Sequence, residues 1–290
     1  MKKSLPISAY IELTKPSILI MVLVTTVLGF YLGGRGIVSI SLLIYLLFGA
    51  GLVSAGASAL NHYLEREFDS KMLRTRNRPV PTGIIAPQDA LNFGIALTTL
   101  GIILLYVKVN ILVAFLSLVT AFLYIMVYTP MKRVSWFNTT IGAIPGAIPP
   151  LGGWAAATGG LSFEAGILFL ILFLWQHPHF YAIAWILRDD YKRGGFKMLP
   201  VIEPDGRRMF DQILWYSLIL IPVSLLPSVI GMSGAIYFTG ALISGVALFV
   251  VGRDLCASKS LKAAKKLLRA TVIYLPALLS LIIIDGLLLG

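Results

Sequence analysis

The chain has 290 residues, 58% hydrophobic and only 13% charged, with a formal net charge of +11 and a mean hydropathy of +0.87. Soluble domains are nearer a quarter charged, so a freely soluble fold is excluded; long apolar runs in place of short alternating segments exclude a membrane barrel. A single cysteine, Cys256, excludes an intrachain disulfide and a cysteine-based metal site.

The N-terminal stretch carries Lys2, Lys3 and Lys15 and then an apolar run that starts after Pro16. That run is too long for a signal-peptide core and lacks an A-x-A site, so it reads as the first membrane helix. Nine spans are expected in all, at roughly 17–33, 38–60, 91–107, 109–128, 139–157, 163–186, 212–231, 235–251 and 270–288. The fifth, NTTIGAIPGAIPPLGGWAAA, holds three prolines and many small residues. It needs neighbours to satisfy freed backbone groups, and its small residues permit close approach. The chain reads as one polytopic all-α domain, 1–290.

Basic residues fix an orientation. All but Arg35 and Lys108 of the 24 Lys and Arg fall at the N-terminus or in the loops after spans two, four, six and eight. The positive-inside rule puts that face in the cytoplasm. The acids share the asymmetry, the exceptions being Glu164 and Asp285. The net charge is thereby explained by topology and anionic lipid rather than nucleic acid. The stretch 254–269, DLCASKSLKAAKKLLR, reads as an amphipathic surface helix or loop.

Charge is concentrated in NHYLEREFDSKMLRTRNRP, 61–79, where eight of nineteen residues are charged. Asn61, Glu65 and Asp69 repeat every four residues, so on a helix they lie within about 80° of one another. One amide and two carboxylates are hard oxygen donors suited to Mg²⁺, which completes its shell with water and substrate phosphates. Arg66 and Glu67 point elsewhere. Arg74 and Arg78, four apart, form a pair suited to carboxylate or phosphate, with lipid headgroups as an equal alternative. A second cluster, WQHPHFYAIAWILRDDYKRGGFKMLP at 175–200, holds His177, His179, Asp189, Asp190, Lys192 and Arg193. A kink is expected at Pro178, and His179 and Asp190, eleven apart, are expected near one helix face, about 20° from alignment. The two clusters lie four spans apart, which suggests an internal pseudo-repeat. A third element, 128–154, brings Tyr128, Lys132 and Arg133 to the same membrane side. Cations there either neutralise a departing diphosphate or serve only as topology markers. Acids with Mg²⁺ to hold a diphosphate, cations to stabilise it as it leaves and an apolar bundle suit ionisation of an allylic diphosphate to a carbocation; Tyr63, Tyr128, Trp154, Phe180 and Tyr181 are available to stabilise that cation by their π faces, or simply pack or sit at the interface.

Several blocks together resemble the UbiA superfamily of intramembrane prenyltransferases, and within it the haem-modifying branch. They are ELTKPSIL, N-x-x-x-E-x-x-x-D with K-M-x-R-T-x-x-R-P, Y-T-x-x-K-R with Asn138, G-A-I-P-P-L-G-G-W, W-Q-H-P-H-F-Y-A-I-A with D-Y-K, and M-L-P. The resemblance implies a nine-helix bundle around a central cytoplasm-facing cavity in the cell membrane. It implies Mg²⁺-dependent transfer of farnesyl from farnesyl diphosphate to a vinyl group of haem B, giving haem O for terminal oxidases, with haem A synthase or oxidase assembly downstream. By this resemblance Asn61, Glu65 and Asp69 form a first metal–diphosphate site and Asp190, with Asp189, contributes to a second. Lys132 and Arg133 contact diphosphate, Arg74 and Arg78 meet propionates or diphosphate, and His179 orients or ligates haem while His177 does not. The family pattern has Asp where this chain has Glu65 and Glu67; the longer Glu65 arm relaxes the metal geometry. Prenylation of a quinone precursor or another aromatic or lipid acceptor is the same-fold alternative, and a non-catalytic haem or ion transporter the alternative from another class.

Overall fold

The computed structural model describes residues 7–289, with side chains through Asp285; Lys2 and Lys3 lie outside the described residues. All regular elements among the described residues are helices. They form two compact units: 1–161 with 189–197, and 162–188 with 198–290.

The first unit contains α1 (Ile7–Leu13), α2 (Pro16–Gly33), α3 (Ile40–Asp69), α4 (Pro87–Lys108), α5 (Ile111–Phe122), a π-helical turn (Leu123–Tyr128), α6 (Thr129–Met131), α7 (Asn138–Ala147) and α8 (Pro149–Thr158). The short α10 (Arg188–Arg193) places all but its first residue there too. Small residues set its two closest helix pairs. Along α3 and α4, Gly49 and Gly56 face Gly101 and Gly94, and a Cβ at Gly94 would meet the Gly56 carbonyl at 3.0 Å. Between α2 and α8, a Cβ at Gly29 would run into the Pro150 carbonyl and one at Gly153 into the Thr26 carbonyl. Lipid tails are as apolar as leucine, so helices in a membrane associate through such close packing. A buried cluster of Ala9, Leu13, Ala59, Val80, Ile85 and Ala90 seats α1 and the loop 70–86 on α3 and α4.

The second unit contains α9 (Phe163–Ile186), α11 (Leu199–Ile202), α12 (Arg207–Val229), α13 (Ala235–Ser258) and α14 (Leu261–Leu289). Helix α9 packs against both α12 and α14. Two thirds of its most apolar stretch is buried, against a third or less in every other long helix, which makes it the core helix of this unit. Asp285, an exception to the acid asymmetry, accepts the Tyr237 N–H at 2.9 Å and so caps the first turn of α13 from α14.

Three expectations change. Among the described residues eight helices, not nine, are long and apolar enough to span a membrane singly. The expected fifth span is instead two ten-residue helices, α7 and α8, divided at Ile148. Pro149 has no N–H for a continuous ladder and serves as the first residue of a new helix. Second, 254–269 is no separate surface helix. Helix α13 runs to Ser258, Lys259 turns the chain in the left-handed region (φ 50°), and α14 starts at Leu261. Third, α9 continues through Pro178 but ends at Ile186, so His179 and Asp190 occupy different helices and the shared-face argument does not apply.

Candidate active site

Helix α3 continues nine residues past its apolar stretch, through NHYLEREFD, so Asn61, Glu65 and Asp69 stand on one face and all three are buried. Glu67 lies outside it, with its side chain exposed and paired to Arg66. Burial of two carboxylates is costly unless each is compensated, and each polar group on this face meets a cation. Lys15 Nζ donates to Asn61 Oδ1 at 2.5 Å. Lys132 Nζ donates to Glu65 Oε1 at 2.8 Å and Arg78 Nη1 to Asp69 Oδ2 at 2.7 Å.

Local structure explains how each cation arrives. Leu13 of α1 packs in the cluster with Ala59, which brings Lys15 alongside the next turn of α3. Lys15 takes a left-handed conformation (φ 49°) directly before Pro16. A following proline disfavours the right-handed region, and a lysine at positive φ costs on the order of 1–3 kcal/mol, tolerated where surroundings enforce it. The loop after α3 folds back on its own helix end. Thr75 Oγ1 caps the Asp69 carbonyl at 2.9 Å, and Arg78 returns to the Asp69 side chain. Lys132 follows the π-helical turn, which carries Tyr124 and Tyr128, stacked with centroids 5.7 Å apart. Its ammonium lies 4.5 Å from the Tyr128 ring centroid. That ring presses so close to Gly142 that a Cβ there would lie 2.5 Å from it. The Asn61 amide is fixed at both ends: its Nδ2 donates to Thr129 Oγ1 at 3.0 Å, and Thr129 donates to the Tyr124 carbonyl at 2.8 Å.

Charge states follow from this packing. Burial lowers Lys132, but Glu65 above all, with the tyrosines, outweighs it and holds the ammonium above the ordinary lysine range. Lys15, facing an amide rather than a carboxylate, is pushed down to about 7, first by burial and then by Arg78.

Asp190 joins this unit from far along the sequence. Its carboxylate accepts the backbone N–H of Leu73 at 2.8 Å and of Arg74 at 3.1 Å, and pairs with Arg193 at 2.8 Å. Burial raises its pKa, but the Arg193 and backbone hydrogen bonds win and hold it below the ordinary carboxylate range. The strap 189–197 is pinned again where Lys197 N–H donates to the Lys132 carbonyl at 2.7 Å. In this structure Asp190 therefore fastens the loop after α3.

Within the first unit, Arg133, Arg74, Asp189 and Lys192 do not pair with the acid face through their side chains. Arg133 is exposed and lies over the Phe68 ring at 4.7 Å. The Arg74 side chain is exposed, and it is the backbone of Arg74 that Asp190 uses. Asp189 and Lys192 are exposed as well. In the second unit, His177 is fully buried with its ring 3.5 Å from that of Tyr216, and its Nδ1 lies 2.8 Å from the Phe173 carbonyl. His179 is partly buried, with Nδ1 2.9 Å from Thr271 Oγ1. Lys15, Tyr124 and Thr129 belong to the site and were not expected from spacing. The available signal was a lysine beside a proline at the mouth of the first apolar helix.

Among the described residues no three His, Cys, Asp or Glu side chains cluster tightly enough to form a metal site by themselves. The donor set of the α3 face still fits a hard divalent cation bound jointly with a ligand. Asp69 Oδ1 is fully buried without a hydrogen-bond partner, and Mg²⁺ characteristically takes one or two carboxylates and completes its shell from phosphate and water.

These features define a polytopic helical membrane protein with a buried, ion-paired polar face at a helix end. A model of the UbiA prenyltransferase family matches residues 22–278. The chain is 44% identical over 285 residues to the protoheme IX farnesyltransferase of Solibacter usitatus (strain Ellin6076), covering 95% of this chain and 98% of that one. It is 42% identical over 287 residues to the protein of the same name from Koribacter versatilis (strain Ellin345), covering 95% and 92%. A solved structure of a UbiA homologue from Archaeoglobus fulgidus bound to GPP and Mg²⁺ shares the fold at a TM-score of 0.70 and 15% identity, covering 94% of this chain and 99% of that one. The chain belongs to the UbiA prenyltransferase family and is an enzyme of that family.

Proposed function

We propose that the enzyme transfers a farnesyl group from farnesyl diphosphate to a vinyl group of haem B, giving haem O and diphosphate. Relatives named protoheme IX farnesyltransferase match nearly end to end, which supports this acceptor over quinone precursors. The Mg²⁺ and GPP of the Archaeoglobus fulgidus homologue support a metal-bound prenyl diphosphate as donor. The observation that carries the reading is the α3 face, where Asn61, Glu65 and Asp69 are each matched to a cation and Asp69 Oδ1 is left over.

Asn61, Glu65 and Asp69 would hold Mg²⁺. A metal held there would supply charge neutralisation of diphosphate oxygens and so make diphosphate a better leaving group. The chain's own residues supply the rest. Lys132 and Arg78, already aimed at this face, bind the anion and stabilise charge that grows as the allylic C–O bond breaks. The stacked Tyr124 and Tyr128 offer π faces to the allylic cation. The apolar helices around them withhold water from it until the acceptor arrives. His179, in the second unit, is assigned to the haem. The basic asymmetry of the loops supports a cytoplasmic opening.

Membranes containing the chain, given farnesyl diphosphate, haem B and Mg²⁺, are expected to yield haem O. Asp69→Asn is expected to insert normally and give none. Turnover of 4-hydroxybenzoate with no haem product would refute the assignment, and full activity of Asp69→Asn would refute the metal role.

A further inference from the structure

Thr271 of α14 is fully buried, and α9 reaches it twice. Trp175 Nε1 donates to the Thr271 carbonyl at 2.9 Å, and one turn later His179 Nδ1 lies 2.9 Å from the Thr271 hydroxyl. That hydroxyl also stands 2.7 Å from the Leu268 carbonyl. A carbonyl only accepts, so two oxygens at that distance require a proton between them. Thr271 has one hydroxyl proton, and Leu268 takes it. Toward His179 the hydroxyl therefore acts as an acceptor, and the proton of that contact belongs to Nδ1. In the neutral imidazole the lone pair is then on Nε2.

The ring is fixed in orientation as well as in tautomer. It stacks on Trp175 with centroids 4.9 Å apart and planes 20° apart, and Phe180 meets it edge-on at 5.5 Å. A histidine that ligates a metal ordinarily gives its other N–H to an oxygen acceptor, which sets its tautomer and raises its basicity. His177 is held differently, fully buried with its ring flat against Tyr216.

We propose that Thr271 is a positioning residue for the acceptor. It holds His179 as the Nδ1–H tautomer, so that the Nε2 lone pair is presented as an axial ligand to haem iron. This rests on the haem reading above and adds to it the residue that orients the ligand and the nitrogen that binds.

The test titrates haem into the purified full-length chain in detergent and follows the Soret band, with farnesyl diphosphate affinity measured in parallel. The wild type is expected to show an imidazole-ligated spectrum that His179→Ala loses. Thr271→Val, close in shape but unable to accept, is expected to weaken haem binding by ~10-fold and alter the spectrum, with farnesyl diphosphate affinity unchanged. Thr271→Ser restores the acceptor and should stay within about twofold of wild type. Wild-type haem affinity and spectrum in Thr271→Val, or equal loss in the Ser and Val variants, would overturn the positioning role. So would an imidazole-ligated spectrum that survives in His179→Ala, a result that holds even if Thr271→Val fails to accumulate. A chain that ligates haem through His179 and makes no farnesylated haem refutes the proposed reaction while the positioning role stands. A chain that makes haem O equally well with Val at 271 and an unchanged spectrum refutes the positioning role alone.

Discussion

The Lys132–Glu65 pair separates structure from catalysis most sharply. Its charged atoms are 2.8 Å apart, and its side chains are only 13% and 8% exposed. At that distance the gross attraction is about 6 kcal/mol for an effective dielectric near 20, set against desolvation of several kcal/mol for each ion. Breaking such a pair from one side strands the other charge and costs about 3–5 kcal/mol. The lower end applies here, because Lys15 and Arg78 also act on Glu65. Lys132→Met alone is therefore expected to lower stability by about 3 kcal/mol, while Glu65→Gln with Lys132→Met recovers most of it, since neither charge is then left over. Turnover should behave otherwise. If Lys132 stabilises departing diphosphate, its loss costs about 10²–10³ in rate and the second substitution restores none of it. The assay is thermal unfolding in detergent beside single-turnover diphosphate release for the four members of the cycle. Recovery of turnover together with stability in the double variant would show that the pair only packs the site. The pH dependence has a fixed sign. Lys132 is held above its unfolded value, so its contribution is fully present below the unfolded lysine pKa and is lost only as pH rises through the folded one. Between about pH 6 and pH 9 the Lys132 contribution itself should be flat, so a change near pH 7 belongs to Lys15, whose pKa is lowered to about 7.

Two further outcomes follow from the same geometry. Asp190→Ala removes the acceptor for the Leu73 and Arg74 amides; discounting the half-exposed Arg193, about 2 kcal/mol of local stability is lost, and amide exchange at 73 and 74 should accelerate ~30-fold. The Asp190 carboxyl is held below its unfolded value, so in the wild type this protection is present above about pH 4 and fades only as pH falls through the lower folded value; protection that vanishes near pH 6 would contradict this anchoring. Gly153→Leu drives a side chain into the Thr26 carbonyl across the α2–α8 contact, and should cost about 3 kcal/mol or more in thermal stability, whereas Gly160→Leu, with open space around it, should be near neutral.

What the sequence made legible was local. The four-residue rhythm of Asn61, Glu65 and Asp69 needs only one continuous helix to align them, and α3 supplies it without a break from Ile40 to Asp69. The prolines of the fifth apolar stretch marked it as irregular, but hydropathy does not register the missing N–H at Pro149, so one span was expected where two short helices stand. The partners of the acid face were not legible, because each is set by tertiary packing. Lys15 meets Asn61 across 46 positions, Lys132 meets Glu65 across 67, and Asp190 meets Leu73 across 117. The same distances explain why the charge run at 61–79 does not act as one block. Arg78 turns inward because Asp69 is buried and requires a cation, while the Arg74 side chain, whose neighbouring buried acid Asp190 is already paired with Arg193, stays exposed, as does that of Arg76. Buried carboxylates thus select among many basic residues of the chain. The selection leaves Lys132 and Arg78 bound to the acids they would have to share with a metal diphosphate, so on the proposed reading substrate binding would be an exchange of ionic partners rather than the filling of an uncharged cleft.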